Sequence, residues 1–155
     1  MRIGVELALP ADAGELFADA RAYEAAGADS FWVASETEAA VLLAGVAAVT
    51  WRARLVLEDR AASDAARATL ERLARGRLAI AERDGPSSRI GAEAGDERWE
   101  RVPFPSGRDV WKELVADREA AGVAGLVLAN DPRLLDLLRN PDVVEDRSDL
   151  KLAQG

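Results

Sequence analysis

The sequence predicts an α/β fold built on a mainly parallel sheet of about six strands. Three observations carry the prediction. Short runs that are apolar on both faces, such as "RIGVELAL", "RLVLED" and "AGLVLA", alternate with helical stretches, and strands of that kind need helices over both faces of a parallel sheet. One unit is used twice: "EAAGADSFWVAS" from Glu24 and "EAAGVAGLVLAN" from Glu119 share a helix end, a glycine, a short link, a buried strand and a polar end. The 155 residues, 49% of them hydrophobic, suffice for one core and favour one domain, placed at residues 1–140.

Residues 2–9 form the first strand, ended by Pro10. Asp12 with Glu15 makes an Asp variant of the capping box, and Leu16, Phe17, Ala20 and Tyr23 recur at helical spacing up to Gly27, a residue suited to the left-handed turn after a helix. "DSFWVA" is the second strand, in which Phe31 and Trp32 point to opposite faces. A helix from about Glu36 to Trp51 follows, then the strand "RLVLED", a helix over 64–75 closed by Gly76, and the strand "RLAIAE". Residues 83–98 have Gly, Pro, Ser and charge without apolar periodicity, so an irregular loop is expected there. "WERVPF" is a short strand, Ser106 and Asp109 cap the next helix, and "AGLVLA" is a strand. Asp131 and Pro132 open the last helix. Residues 141–155 read as a polar, loosely held tail.

The net charge of −8 repels phosphate backbones and anionic surfaces, so neither nucleic acid nor a membrane is expected as a partner. The absence of cysteine and histidine excludes disulfides, thiolate nucleophiles, His-based triads and ordinary zinc sites. No metal site is expected. Chemistry is left to carboxylates, hydroxyls, Arg, Lys or a cofactor. The N-terminal apolar run is short and interrupted by Glu6, unlike a signal peptide or membrane span, which points to a cytoplasmic location.

In parallel sheets function collects where strands end. The catalytic candidates there are Glu6, Glu36, Glu58 and Glu82. Glu6 lies mid-strand on a face with Gly4 and Ala8, where a carboxylate needs a partner or a wet cavity, and Arg2 or Arg54 could pair with it. In "SETE", Ser35 and Glu38 have capping-box spacing, so a helix cap is the plainer reading of that cluster. Candidates for holding a cofactor are Ser35 and Thr37 beside it, and Ser87, Ser88 and Arg89 in "DGPSSRIG", whose hydroxyls and guanidinium suit a phosphate. A solvated linker is the plainer reading of that segment. Trp99 and Trp111 read as packing, with Trp99 also placed beside the long loop where it could meet a flavin or a partner.

"MRIGVELALP", "EAAGADSFWVAS", "TLERLARGRLAIA" and "LVADREAAGVAGLVL" occur in an order that resembles the luciferase-like monooxygenase family of flavin- and deazaflavin-dependent oxidoreductases. The resemblance implies a truncated (β/α) barrel of about six strands, with an open doubly wound sheet as the alternative, together with FMN or a deazaflavin coenzyme and a small-molecule substrate. Two departures stand out. The chain is short for a full barrel of roughly 250 residues, which places two missing βα units near residues 83–98, the region from which the family draws flavin and phosphate contacts. Where the family commonly has a histidine-bearing pair after its second strand, this chain has Ser35, Glu36, Thr37 and Glu38. Two functions follow as expectations. One is a shortened flavin- or deazaflavin-dependent oxidoreductase. The other is a non-catalytic relative whose open sheet edges are covered by a second copy or a full-length family partner.

Overall fold

The computed structural model describes residues 1–8, 13–33, 38–58, 62–91 and 95–140. In chain order they form β1 (Arg2–Leu7), α1 (Ala13–Ala26), β2 (Ser30–Val33), α2 (Ala39–Val49), β3 (Arg54–Glu58) and α3 (Asp64–Ala74). There follow β4 (Leu78–Asp84), β5 (Ser87–Ile90), β6 (Glu97–Arg101), α4 (Arg108–Ala120), β7 (Gly125–Ala129) and α5 (Pro132–Arg139). The seven strands close into a barrel in sequence order. β1 pairs in parallel with both β2 and β7, and among the described residues the one strand that runs antiparallel to its neighbours is β5, between β4 and β6.

The barrel confirms the α/β class and rules out the open doubly wound alternative. It also corrects the reading of residues 83–98. Instead of an irregular loop, β4 runs on to Asp84, a tight turn at Gly85 and Pro86 reverses the chain, and β5 pairs back with Ser87 opposite Asp84 and Ile90 opposite Ala81. Gly85 takes φ 59 there, a conformation that glycine adopts without steric cost. This added strand bridges the gap left by any missing βα units. A closed barrel has no free edge for a partner to complete, so the open-edge argument for a covering partner fails.

Apolar residues divide between two cores. Outside the barrel wall, Val5, Leu7, Phe31, Leu55, Leu57 and Leu126 meet helix residues such as Leu16, Tyr23, Leu43 and Leu70. Inside it, Trp32, Val56, Ala81, Ile90, Trp99 and Val127 form a separate cluster. Phe31 and Trp32 therefore take opposite faces as strand alternation requires. Trp99 is 1% exposed, which corrects its placement at a loop or a partner surface. Trp111 packs in the outer core as expected.

Helix ends show where local signals hold. Asp131 caps α5 by accepting from the Arg133 N–H, with Pro132 in the first turn, and Gly27 and Gly122 both take positive φ after their helices. α2, however, begins at Ala39 with Glu38 as its N-cap and no side-chain cap bond from it, and Ser35 lies outside the described residues. α4 likewise starts from Gly107 without a side-chain cap, rather than from Ser106. Asp12 and the tail 141–155 lie outside the described residues.

The internal echo has a structural meaning. The Glu24 carboxylate accepts the backbone N–H groups of Trp51, Arg52 and Ala53 at 2.7–2.9 Å. Burial acts to raise its carboxyl, but these three donors outweigh it and hold the group below the usual range. Glu119, its counterpart, meets the amino group of Met1 at 2.5 Å. Each glutamate thus reaches from the end of one helix to the entry of a strand one place further round the barrel, β3 from α1 and β1 from α4.

Candidate functional site

Strand alternation sends Glu6 of β1, Glu58 of β3, Ser88 of β5 and Arg101 of β6 into the barrel at its C-terminal mouth, where most of the strands end. Arg101 is the centre. Its Nε donates to Glu6 Oε1 at 2.7 Å, Nη2 to Glu58 Oε1 at 2.5 Å and Nη1 to Ser88 Oγ at 2.8 Å. Arg83, at the surface, approaches the second Glu58 oxygen at 3.6 Å. The side chains of Arg101, Glu6 and Glu58 are 14%, 21% and 21% exposed.

Beneath this layer the guanidinium of Arg101 lies 5.2 Å from the centre of the Trp32 ring. Trp32 meets Trp99 at 5.7 Å between centroids, with a 54° tilt, and the guanidinium of Arg2 lies 5.1 Å from the Trp99 ring on the far side. A cation over an aromatic face is attracted by the ring's quadrupole, so a column of arginine, two tryptophans and arginine runs through the barrel. The indole N–H groups are satisfied by Ser30 Oγ at 3.0 Å and by Glu97 at 3.3 Å.

The N-terminal mouth inverts the charges. Here one carboxylate, Glu97, is held between Arg2 at 3.0 Å and Arg54 at 2.6 Å. Burial works to raise the Glu97 carboxyl, but hydrogen bonds from Arg2, Arg54 and Trp99 overcome it and push the group down to about 2. A carboxyl depressed in the folded state contributes stability that is complete above its unfolded value and lost as pH falls through the folded one. Stability is therefore expected to fall between about pH 4.5 and 2. Melting curves of Glu97→Gln should show less of this acid loss than those of the parent, and equal acid sensitivity would refute the role given to Glu97.

These distances revise the candidates. Glu6 and Glu58 come together as one unit, and the partner of Glu6 is Arg101 rather than Arg2 or Arg54, which serve Glu97 at the other end. Ser88 joins the unit through Arg101. Glu82 stands exposed, on the alternate residue to buried Ala81. Ser87, Ser88 and Arg89 do not form a phosphate cradle, because Ser88 turns into the barrel while exposed Arg89 alternates away from it. Ser35, Glu36 and Thr37 lie outside the described residues. Arg101, the central residue, was missed. Its signal is the alternation Glu97, Trp99, Arg101, which repeats along one strand face the charge and aromatic pattern of Arg2, Gly4, Glu6 and Ser30, Trp32.

Of the residues named for holding a cofactor, Ser35 and Thr37 lie outside the described residues and Ser88 accepts from Arg101. Trp32 is 1% exposed and covered by Arg101, so it offers no face to an isoalloxazine ring. Another feature on the C-terminal side of the barrel is a cleft of about 170 Å³ lined by Phe104, Ser106, Gly107, Arg108, Arg133 and Asp136. It opens on the uncapped N-terminus of α4. Its two guanidiniums are already engaged, Arg108 by Asp136 and Arg133 by Asp131. Among the described residues no group of three or more acidic residues could hold a metal ion, and no helix is long and apolar enough to cross a membrane.

Fold and interior together define the class as a compact, mostly parallel seven-stranded (β/α) barrel with charged clusters at both mouths. Comparison with protein-family models, curated proteins and solved structures finds no match.

Proposed function

We propose that this chain is a shortened barrel of the luciferase-like kind that has become non-catalytic and serves as an assembly or partner-binding subunit. The observation that carries this reading is the saturation of Arg101. Each of its three nitrogens donates to Glu6, Glu58 or Ser88. A guanidinium stays protonated and cannot exchange a proton as an acid or base would. The two carboxylates nearest the mouth are bound to that fixed cation, and the tryptophan column fills the space behind them. Such a cluster joins β1, β3, β5 and β6 and gives the closed wall its polar floor.

A flavin- or deazaflavin-dependent oxidoreductase is the second reading, in which the coenzyme supplies the redox chemistry. The observation on its side is the cleft at the start of α4, where the backbone N–H groups of the uncapped first turn would receive an anionic group. The test is to titrate the purified protein with FMN and with a deazaflavin coenzyme, following visible absorbance and flavin fluorescence. The proposal expects no saturable change at tens of micromolar. Tight, stoichiometric binding with either coenzyme would overturn it in favour of the oxidoreductase.

A further inference from the structure

We infer that the cleft at the foot of the seam between β4 and β5, beside the N-terminal mouth of the barrel, binds a small dicarboxylic acid, with its carboxylates on Arg52 and Arg54 and its hydrocarbon body along Leu78 and Ile80. The inference goes beyond the reading above and does not rest on it, because this cleft and the Arg101 cluster lie at opposite ends of the barrel.

The cleft exists because the two ladders of β4 are out of step. β4 pairs with β3 from Leu78 onward but with β5 only from Ala81, which stands opposite Ile90. Below that level the wall recedes into a cleft of about 890 Å³, whose lining includes Arg52, Arg54, Arg77, Leu78, Ile80 and Gly91. That volume is in the range of small-molecule sites. The N–H of Leu55 bonds to the carbonyl of Arg77, so alternation turns the N–H groups of Leu78 and Ile80 away from β3 and toward the cleft. Among the described residues no strand pairs with them there.

Every charged residue in the lining is an arginine, on a chain whose net charge is −8. A guanidinium has five N–H donors. Among the described residues Arg52 spends one, on the Glu24 carbonyl at 3.1 Å, and Arg54 spends one, on Glu97 at 2.6 Å. Each therefore keeps the fork that grips a carboxylate with two parallel bonds. Arg77 donates to the carbonyls of Ala47, Ala53 and Ala74 and to Thr50 Oγ1, and touches no carboxylate among the described residues. Burial lowers its pKa, with the Glu24 charge acting against that and Arg75 adding to it. Glu24 cannot turn to these cations, since its oxygens accept the N–H groups of Trp51, Arg52 and Ala53. Asp29, which shares a neighbouring recess with Arg52, accepts from the N–H of Ile3 at 2.7 Å. Arg2, Arg52, Arg54, Arg75 and Arg77 thus outnumber Glu24, Asp29 and Glu97, and exposed Asp96 beside Glu97 does not even the count. An anion is what this end of the barrel attracts. The other wall of the cleft, Leu78, Ala79 and Ile80, is apolar and only partly buried. A sugar or a polyphosphate would set polar groups against it, whereas the hydrocarbon of a dicarboxylic acid would cover it.

Calorimetric titration of the full chain with adipate at low ionic strength should show saturable one-to-one binding with a Kd of about 1 mM or below. Hexanoate, which lacks the second carboxylate, and inorganic phosphate, which lacks the hydrocarbon, should each bind at least about tenfold more weakly. Gly91→Glu tests the place. A Cβ at Gly91 meets nothing within 4 Å, so a carboxylate can be set on the cleft wall without disturbing the fold, and it should abolish adipate binding while Gly91→Gln retains it. Arg52→Gln should weaken binding by about tenfold and leave the melting temperature nearly unchanged, since one bond to a carbonyl is all it removes from the fold. The absence of saturable heat up to about 10 mM adipate, or binding that Gly91→Glu and Arg52→Gln leave intact, overturns the inference. Phosphate or hexanoate binding as tightly as adipate overturns the dicarboxylic acid as the ligand.

Discussion

Arg101→Met is expected to cost about 3–5 kcal/mol of folding stability, the range seen when one member of a buried ion cluster is removed and its partners stay behind. Methionine retains much of the aliphatic stem, so packing against Trp32 largely survives and the loss isolates the charge. Glu6 and Glu58 would then face each other with no cation between them, and Ser88 Oγ would lose its donor. Arg83 cannot replace it, being at the surface and 3.6 Å from Glu58 alone. Urea unfolding followed by tryptophan fluorescence reads this directly, because both interior indoles lie in the affected column. Arg101→Lys should fall between the two, since an ammonium keeps the charge but cannot span acceptors set by a planar fork. Combining Arg101→Met with Glu6→Gln and Glu58→Gln should recover more than half of the loss, as neutral amides can bond to one another. A loss under about 1 kcal/mol for Arg101→Met would show that the cluster does not hold the barrel together.

That experiment also bears on function. If the cluster were tuned for chemistry, its carboxylates would need a position from which to give or take a proton. Their geometry instead commits one oxygen of each to Arg101. A structural cluster is read out in stability and a chemical one in turnover.

The outer layer of this fold was legible because it obeys local rules. The first four strands and the last could be read from apolar runs, α5 from Asp131 and Pro132, and the ends of α1 and α4 from Gly27 and Gly122. β5 was not legible, for a physical reason. β5 is the short SSRI strand, with burial alternating only at Ser88 and Ile90, and its identity as a strand comes from pairing on both sides rather than from its own composition. Barrel closure is equally non-local. Glu6 was recognisable as a carboxylate in need of a partner, but Arg101 is 95 residues away in sequence. The choice between Arg2, Arg54 and Arg101 depends on which end of the barrel each side chain enters. The α2 helix was visible as an Ala- and Val-rich run, and its exposed positions are Val41 and Ala48.

The second large effect is expected at Trp99, and its partner residue makes the prediction specific. Trp99→Ala should cost about 3–5 kcal/mol through lost burial and the cavity that remains. Gly125 faces this ring across the β6 to β7 pairing: a Cβ built there would stand 2.3 Å from the nearest ring carbon, a distance at which something must move. The ring is not free to do so. Its N–H is on Glu97, one face is under Arg2, and Trp32 lies beside it. Gly125→Val in the parent should therefore destabilise by overpacking, about 1–3 kcal/mol or more. With Trp99→Ala already present, the same substitution should stabilise, because the valine fills space the indole has left and suits a strand. A reversal of sign between the two backgrounds is a strong form of coupling between touching residues. If Gly125→Val costs the same in both, Trp99 does not pack over Gly125 and the interior column is misplaced. If the sign reverses, the middle of the barrel is solid from Arg2 to Arg101. A ligand of this protein must then bind at a mouth or on the outer surface, since the interior is occupied by its own tryptophans.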